Sequence, residues 1–339
     1  AQATFLDALP RRAPSRKSGS TARGPAMLIP LLVALAWAQD PSWVVASSPR
    51  NARIVAFKMP GPSEPHTLVE TGLDRPEGLA ADLGRMILYV ADPGARVVLG
   101  FPLTLVNEKL MADEPETVAD NVDCHWVAVD SVGNLFYTDE LANKIMKLPV
   151  PEAGLRGSDS KPVALYTADD TNKVSAPAGV AVDNFMVLWT NKQLGTQAGS
   201  VAGGYSTPPS SDKGAAVRPV STVTDRAYGV CLARDNAIFT SSEKYVYGVR
   251  KTGGVVAMIS DTMQKPRGCA WDGEGTVYVA DKGSGKIFAF PGSVASMTKQ
   301  PMVKVAELED VYGLAVVVSS SWRQLTGTLV AVVISGWFL

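Results

Sequence analysis

The sequence predicts an all-β fold: a six-bladed β-propeller of four-stranded blades, one blade closed by strands from both chain ends. Three observations predict it. A short motif occurs six times at steps of about 40 to 50 residues, the interval at which propellers and solenoids repeat. Each return opens a set of short apolar runs separated by Gly-, Pro- and Asp-rich breaks, which read as strands and turns. The first and last sets are each incomplete, and their missing pieces are complementary.

The motif reads GLAAD at 78–82, WVAVD at 126–130, GVAVD at 179–183, GVCLARD at 229–235, GCAWD at 268–272 and GLAVV at 313–317. A second run follows the first five: ILYVAD, NLFYTD, MVLWTN, NAIFTS and TVYVAD. Third runs come next, such as RVVLGFPL and GKIFAFPG, then looser fourth runs such as ETVADN and VKVAEL. No helix-period segment intervenes between residues 40 and 318. Four-stranded blades repeated about an axis make a propeller.

The ends complete the count. Before Gly78 stand a second, third and fourth strand, SWVVASS, ARIVAFKM and HTLVETG; after Glu307 stands only a first strand, YGLAVVV. Joining them gives the sixth blade and removes sheet edges that would otherwise be exposed.

Outside this region the chain changes character. Residues 1–38 form a leader in which Arg11, Arg12, Arg16, Lys17 and Arg23 precede an uncharged run, Met27 to Ala38, ending Ala36-Trp37-Ala38. A basic lead, a short apolar run and a small-x-small end describe a secretory signal peptide over 27–38; a hydrophobic first strand and a retained anchor are the alternatives. Residues 39–318 are the propeller. Residues 319–339 are a hydrophobic tail, whose uncharged stretch 325–339 spans only about 22 Å as a helix, short of the ~30 Å hydrocarbon core. Ser319 to Ser321 followed by that tail resemble a glycolipid-anchor signal, with a short membrane tail or a last buried strand as alternatives. The reading is therefore a secretory-pathway protein, extracellular or membrane-attached.

Composition narrows the function. With 32 Lys plus Arg against 33 Asp plus Glu the net charge is −1, which gives no electrostatic case for nucleic acid. Cys124, Cys231 and Cys269 are odd in number and widely spaced, so buried free thiols are expected rather than a disulfide framework. Two histidines leave little material for a zinc site.

RPEGLAADLGRMILYVAD and KPRGCAWDGEGTVYVADKGSGKIFAF resemble NHL repeats, and NLFYTDELANKIMKLPV is similar to the YWTD repeats of lipoprotein-receptor propellers. The resemblance covers about residues 43 to 318. It implies the fold, and among its members are extracellular sensors, protein-binding modules, lactonase-like hydrolases and an amidating lyase. The gluconolactonase type places Glu, Asn and Asp about a central divalent ion. At the matching Pro-x-Gly positions this chain carries Glu77, His125, Ala178, Tyr228, Arg267 and Tyr312, without an Asn, so that hydrolase is the alternative reading. No cofactor is expected; calcium stays open through Glu77.

Antiparallel connectivity places the loop entering each first strand beside the loop leaving the second. Glu77, His125, Tyr228, Arg267 and Tyr312 are thus the candidate ligand-binding residues, converging on the axis to take a partner protein or polar small molecule. Asp92, Asp139, Asn191 and Asp281 end second strands on the same side and read mainly as turn-holding residues. Asp82, Asp130, Asp183 and Asp272 read as hairpin residues at the other end. Trp126, Trp189 and Trp271 read as core, GSGK at 283–286 as a turn, and 195–216 as a long mobile loop.

Overall fold

The computed structural model describes residues 42–61, 64–149, 161–193, 200–222, 226–292 and 297–318. The signal and tail assignments, and residues 195–199 of the long loop, lie outside them. In chain order, β1 (Ser42–Ser48), β2 (Arg53–Met59) and β3 (His66–Val69) come first. Blade one follows as β4 (Leu79–Asp82), β5 (Ile87–Asp92), β6 (Val97–Val106), β7 (Lys109–Ala112) and β8 (Glu116–Asp120). Blade two is β9 (Cys124–Val129), β10 (Leu135–Asp139), β11 (Lys144–Leu148) and β12 (Val163–Thr167). Blade three is β13 (Pro177–Val182), β14 (Met186–Asn191), β15 (Val201–Tyr205) and β16 (Arg218–Ser221). Blade four is β17 (Ala227–Ala233), β18 (Asn236–Ser241), β19 (Val246–Arg250) and β20 (Ala257–Ser260). Blade five is β21 (Pro266–Trp271), β22 (Thr276–Asp281), β23 (Lys286–Pro291) and β24 (Val303–Glu307).

The last strand, β25 (Leu314–Val318), pairs with β1 from Ala46↔Leu314 to Ser42↔Val318, and the sixth blade has the order β25-β1-β2-β3. The ring closes as the strand count requires. Helical structure among the described residues is confined to two 3-10 turns, Pro49–Asn51 and Gly214–Ala216.

The apolar runs are continuous, not alternating, because each blade is covered on both faces. In β5, Leu88 and Val90 enter the core shared with blade six, while Tyr89 and Ala91 enter the core shared with blade two. In β14, Val187 and Trp189 face blade two while Met186 and Leu188 face blade four. The molecule therefore has no single centre of packing. Among the described residues six apolar cores lie one between each pair of neighbouring blades, and period-two alternation of side chains feeds two of them from middle strands such as β5 and β14.

Three features depart from the sequence expectation. Blade one carries an extra hairpin: β6 runs on past the blade and returns as β7 through Asn107 and Glu108, both at positive φ, as a tight two-residue hairpin requires. Its Leu110 is fully buried among Ile54, Leu103 and neighbouring side chains, so the insertion seals the seam beside the closing blade.

The cysteine expectation is corrected. Cys231 on β17 and Cys269 on β21 form a disulfide with Cα atoms 5.7 Å apart, and only Cys124 is a buried free thiol. Repeat geometry explains the pairing. The two residues lie 38 apart, occupy related places on the first strands of adjacent blades, and meet across the seam. The long-loop reading also changes for its described part. Ser206 is buried, and Lys213 Nζ donates to the Ala164 carbonyl at 2.9 Å, so the segment is held at these two points.

Candidate functional site

The site is built by one local device repeated six times. On each first strand the x–Gly pair of the motif, replaced in blade two by His125-Trp126, faces a single residue of the second strand, a two-against-one β-bulge. In blade four the ladder passes from Ala227↔Ser241 to Val230↔Phe239, leaving Tyr228 and Gly229 opposite Thr240. In blade five Arg267 and Gly268 oppose Ala280, in blade three Ala178 and Gly179 oppose Thr190, and in blade two His125 and Trp126 oppose Thr138. Blade one repeats it through Glu77 N–H to the Ala91 carbonyl at 2.8 Å and Ala91 N–H to Gly78 at 2.9 Å. Blade six does so through Tyr312 N–H to Ser47 at 3.0 Å and Ser47 N–H to Gly313 at 3.1 Å.

The bulges are locked to one another around the axis. The carbonyl of each x residue accepts a hydrogen bond from the preceding blade. Where the second strand offers alanine, the donor is the glycine N–H: Gly78 to His125 at 3.0 Å and Gly268 to Tyr312 at 2.8 Å. Where it offers a hydroxyl, that hydroxyl intervenes. Ser47 bridges Gly313 N–H at 2.8 Å to the Glu77 carbonyl at 2.6 Å, and Thr240 bridges Gly229 N–H at 3.0 Å to Arg267 at 2.6 Å. Thr190 links Gly179 to Tyr228 in the same way, and Thr138 donates to Ala178 at 2.7 Å. The glycines are needed for close approach. A Cβ would lie 2.6 Å from the His125 carbonyl at Gly78 and 2.5 Å from Tyr312 at Gly268, and closer still at Gly179, Gly229 and Gly313.

This ring fixes the backbone of all five predicted site residues, and it brings their side chains together. His125 Nδ1 meets Glu77 Oε2 at 2.6 Å, and Arg75 approaches the other Glu77 oxygen at 3.5 Å. The Tyr312 ring is buried against Trp126, with centroids 5.5 Å apart. Burial first, then the Glu77 charge beside it, holds the Tyr312 phenol well above its ordinary value, so it is a neutral hydroxyl at physiological pH. The Arg267 guanidinium stacks 4.0 Å over the Tyr228 ring.

Several members of the cluster were not read from the sequence. His125 Nε2 lies 3.5 Å from both Asp123 and Glu140, and Glu140 is paired to Lys192. Lys192 in turn stands 5.5 Å over Tyr228, occupying the sector where blade three offers only Ala178. Lys282 stands 5.1 Å over Tyr312. Glu140, Lys192 and Lys282 each follow directly on the Asp or Asn that ends a second strand, so a signal existed at that offset. Those terminal residues hold turns, as read. Asp92 accepts from the N–H groups of Asp74, Arg75 and Ala95, and Asp281 from Gln264 and Lys265. At the opposite end Asp82, Asp130, Asp183 and Asp272 accept hairpin N–H groups. Trp126 and Trp189 are core; Trp271 is partly buried.

The donor set does not suit calcium, which the sequence leaves open through Glu77. The Glu77 oxygens face His125 and Arg75, with the Tyr312 hydroxyl beside them. Among the described residues, no three His, Cys, Asp or Glu side chains converge as a cation's ligand set. The arrangement is instead a mixed-charge polar floor with aromatic faces, half-buried at the axis and open at Arg75, whose side chain is 51% exposed.

No family model matches the chain, and no curated protein matches it in sequence. Among solved structures it is similar to a chain of the nidogen/laminin complex, with TM-score 0.64 and 12% identity, covering 82% of this chain and 99% of that one. It is also similar to TolB from Acinetobacter baumannii, with TM-score 0.56 and 10% identity, covering 82% of this chain and 66% of that one. Identities this low speak to architecture alone, and with the closed ring of sheets they establish the chain as a six-bladed β-propeller.

Proposed function

We propose that this chain is a secreted or membrane-tethered propeller of NHL or YWTD type that holds a partner protein on its axial face, by a polar loop of that partner. The observation that carries the reading is the convergence of Glu77, His125, Tyr228, Arg267 and Tyr312, from five different blades, into one cluster. Such a floor offers hydrogen-bond donors and acceptors of both signs beside aromatic and guanidinium planes, the residue types that dominate recognition energetics. Its near balance of charge matches a polar peptide segment better than a polyanion. The nidogen/laminin neighbour supports the use of this architecture for protein docking. The Cys231–Cys269 disulfide supports an oxidising compartment, as does the signal-like sequence at 27–38.

The test is capture from the protein's own source with the wild type, Tyr228→Ala, Arg267→Ala and Phe185→Ser. Phe185 is 76% exposed on a hairpin at the opposite face and serves as the control. The reading expects one set of partners, lost in the first two variants and kept in the third, with unchanged thermal midpoints. Partners retained by Tyr228→Ala and Arg267→Ala would overturn it.

A further inference from the structure

A second recess lies on the same face but away from the axis, in the seam between blade five and the closing blade. It encloses about 640 Å³, the size of a small-molecule site. One wall is the 3-10 turn and β2, which bring Arg50 and Arg53; the other is Lys265 and the turn Lys282 to Gly285. The turn is no phosphate loop, since strand β23 follows it, and its Gly283 lets the backbone approach Gln264, whose side chain would lie 2.6 Å from an added Cβ. It is pinned there by Leu308 N–H to the Gly285 carbonyl at 2.9 Å and Lys282 N–H to Lys265 at 3.0 Å.

The charges along this recess are unequal once internal pairs are removed. Asp310 is buried and satisfied, accepting the Arg50 backbone N–H at 2.8 Å and pairing with Lys282 at 3.3 Å. Glu307 is paired outward to Lys304 at 2.9 Å. Among the described residues, no carboxylate pairs with the side chains of Arg50, Arg53 or Lys265, and Arg53 Nε is buried without an acceptor. Among the described lining residues Glu309, exposed at the rim, is the one acid left to oppose them. A buried guanidinium N–H lacking an acceptor carries a desolvation cost that an anionic oxygen removes. Guanidinium groups bind phosphate and sulfate through paired N–H bonds, which ammonium groups complement as point charges.

We infer that this recess is a binding site for a small ligand carrying clustered phosphate or sulfate groups, held by Arg53 at its base and by Arg50 and Lys265 at its mouth. It is independent of the axial site, although Lys282 borders both through Tyr312.

Calorimetric titration of the whole protein with pyrophosphate and, separately, with a sulfated disaccharide tests it, at low and at raised salt. Binding of at least one probe is expected, weakened by salt, about tenfold weaker in Arg53→Gln, and undetectable in Arg53→Gln/Lys265→Gln. Which probe binds separates the phosphate source from the sulfate source. The exposed pair Arg50→Gln/Lys265→Gln gives the same loss without touching a buried group, should Arg53→Gln unfold. Arg267→Ala, in the axial cluster, is expected to bind as the wild type does. Absence of binding by both probes at millimolar concentration, equal binding by the variants, or loss in Arg267→Ala alone overturns the assignment.

Discussion

Glu77 and His125 stand 48 residues apart on neighbouring blades, and their side chains meet at 2.6 Å. The contact exists because the Gly78 N–H holds the His125 carbonyl at 3.0 Å, so the same ring that joins the blades sets the spacing of their site residues. Removing Glu77 leaves His125 and Tyr312, both largely buried, without their acceptor. Glu77→Ala is expected to lower stability by about 2 kcal/mol, and Glu77→Gln, which keeps an amide oxygen, by less. Denaturant unfolding of the two variants checks the order; equal stability to wild type would show that the contact contributes nothing.

The axial ring makes a prediction about glycine. At Gly229 an added methyl group meets the Arg267 carbonyl of the next blade, and backbone on both sides is held by bonds that cannot retreat singly. Gly229→Ala is expected to cost more than about 3 kcal/mol or to prevent folding. Gly84→Ala, whose methyl group finds only Asp82 Oδ1 at 3.4 Å, is expected to stay within about 0.5 kcal/mol. Thermal midpoints of the pair decide it.

Thiol counting tests the disulfide. Unfolded without reductant, the chain is expected to show one reactive thiol, Cys124; with reductant, three. Before unfolding it shows none, since burial holds the Cys124 thiol neutral, well above its ordinary value. Cys231→Ser/Cys269→Ser is expected to lose about 4 kcal/mol, the scale for a crosslink that closes a loop of this length.

Alkaline pH is predicted to unfasten the blades. Burial raises the phenols of Tyr89, Tyr137, Tyr166, Tyr278 and Tyr312, with Tyr166 pushed up from 10.0 to about 12. A raised phenol favours the folded state fully below pH 10, the value in the unfolded chain, and that contribution is lost as pH climbs through the folded value. Thermal midpoints are therefore expected to be flat up to about pH 10 and to fall beyond it. Phenolate absorbance of these five residues should rise with unfolding rather than before it.

The fold was legible because the repeat forces one solution. ILYVAD and TVYVAD are apolar on both faces, so neither runs at a surface, and YGLAVVV has no partner in the chain except SWVVASS. That five candidate residues would meet was legible for the same reason: the position before the motif glycine, or before Trp126 in blade two, heads the first strand of its blade at the axis. Lys192 was not, because it enters from a second strand to occupy the place Ala178 leaves open. The disulfide was hidden by sequence distance, which says nothing of two first strands lying side by side. The β6–β7 hairpin was hidden because its turn, Asn107-Glu108, lacks the glycine that marks most tight hairpins.

The axial face is tested most directly by hydrogen exchange of the protein with and without its captured partner. Protection is expected at 74–78, 123–126, 226–229, 264–268 and 309–313, the segments that surround the axis. Protection instead at the hairpins 131–134, 183–186 and 272–275, which lie at the other end of the ring, contradicts the account.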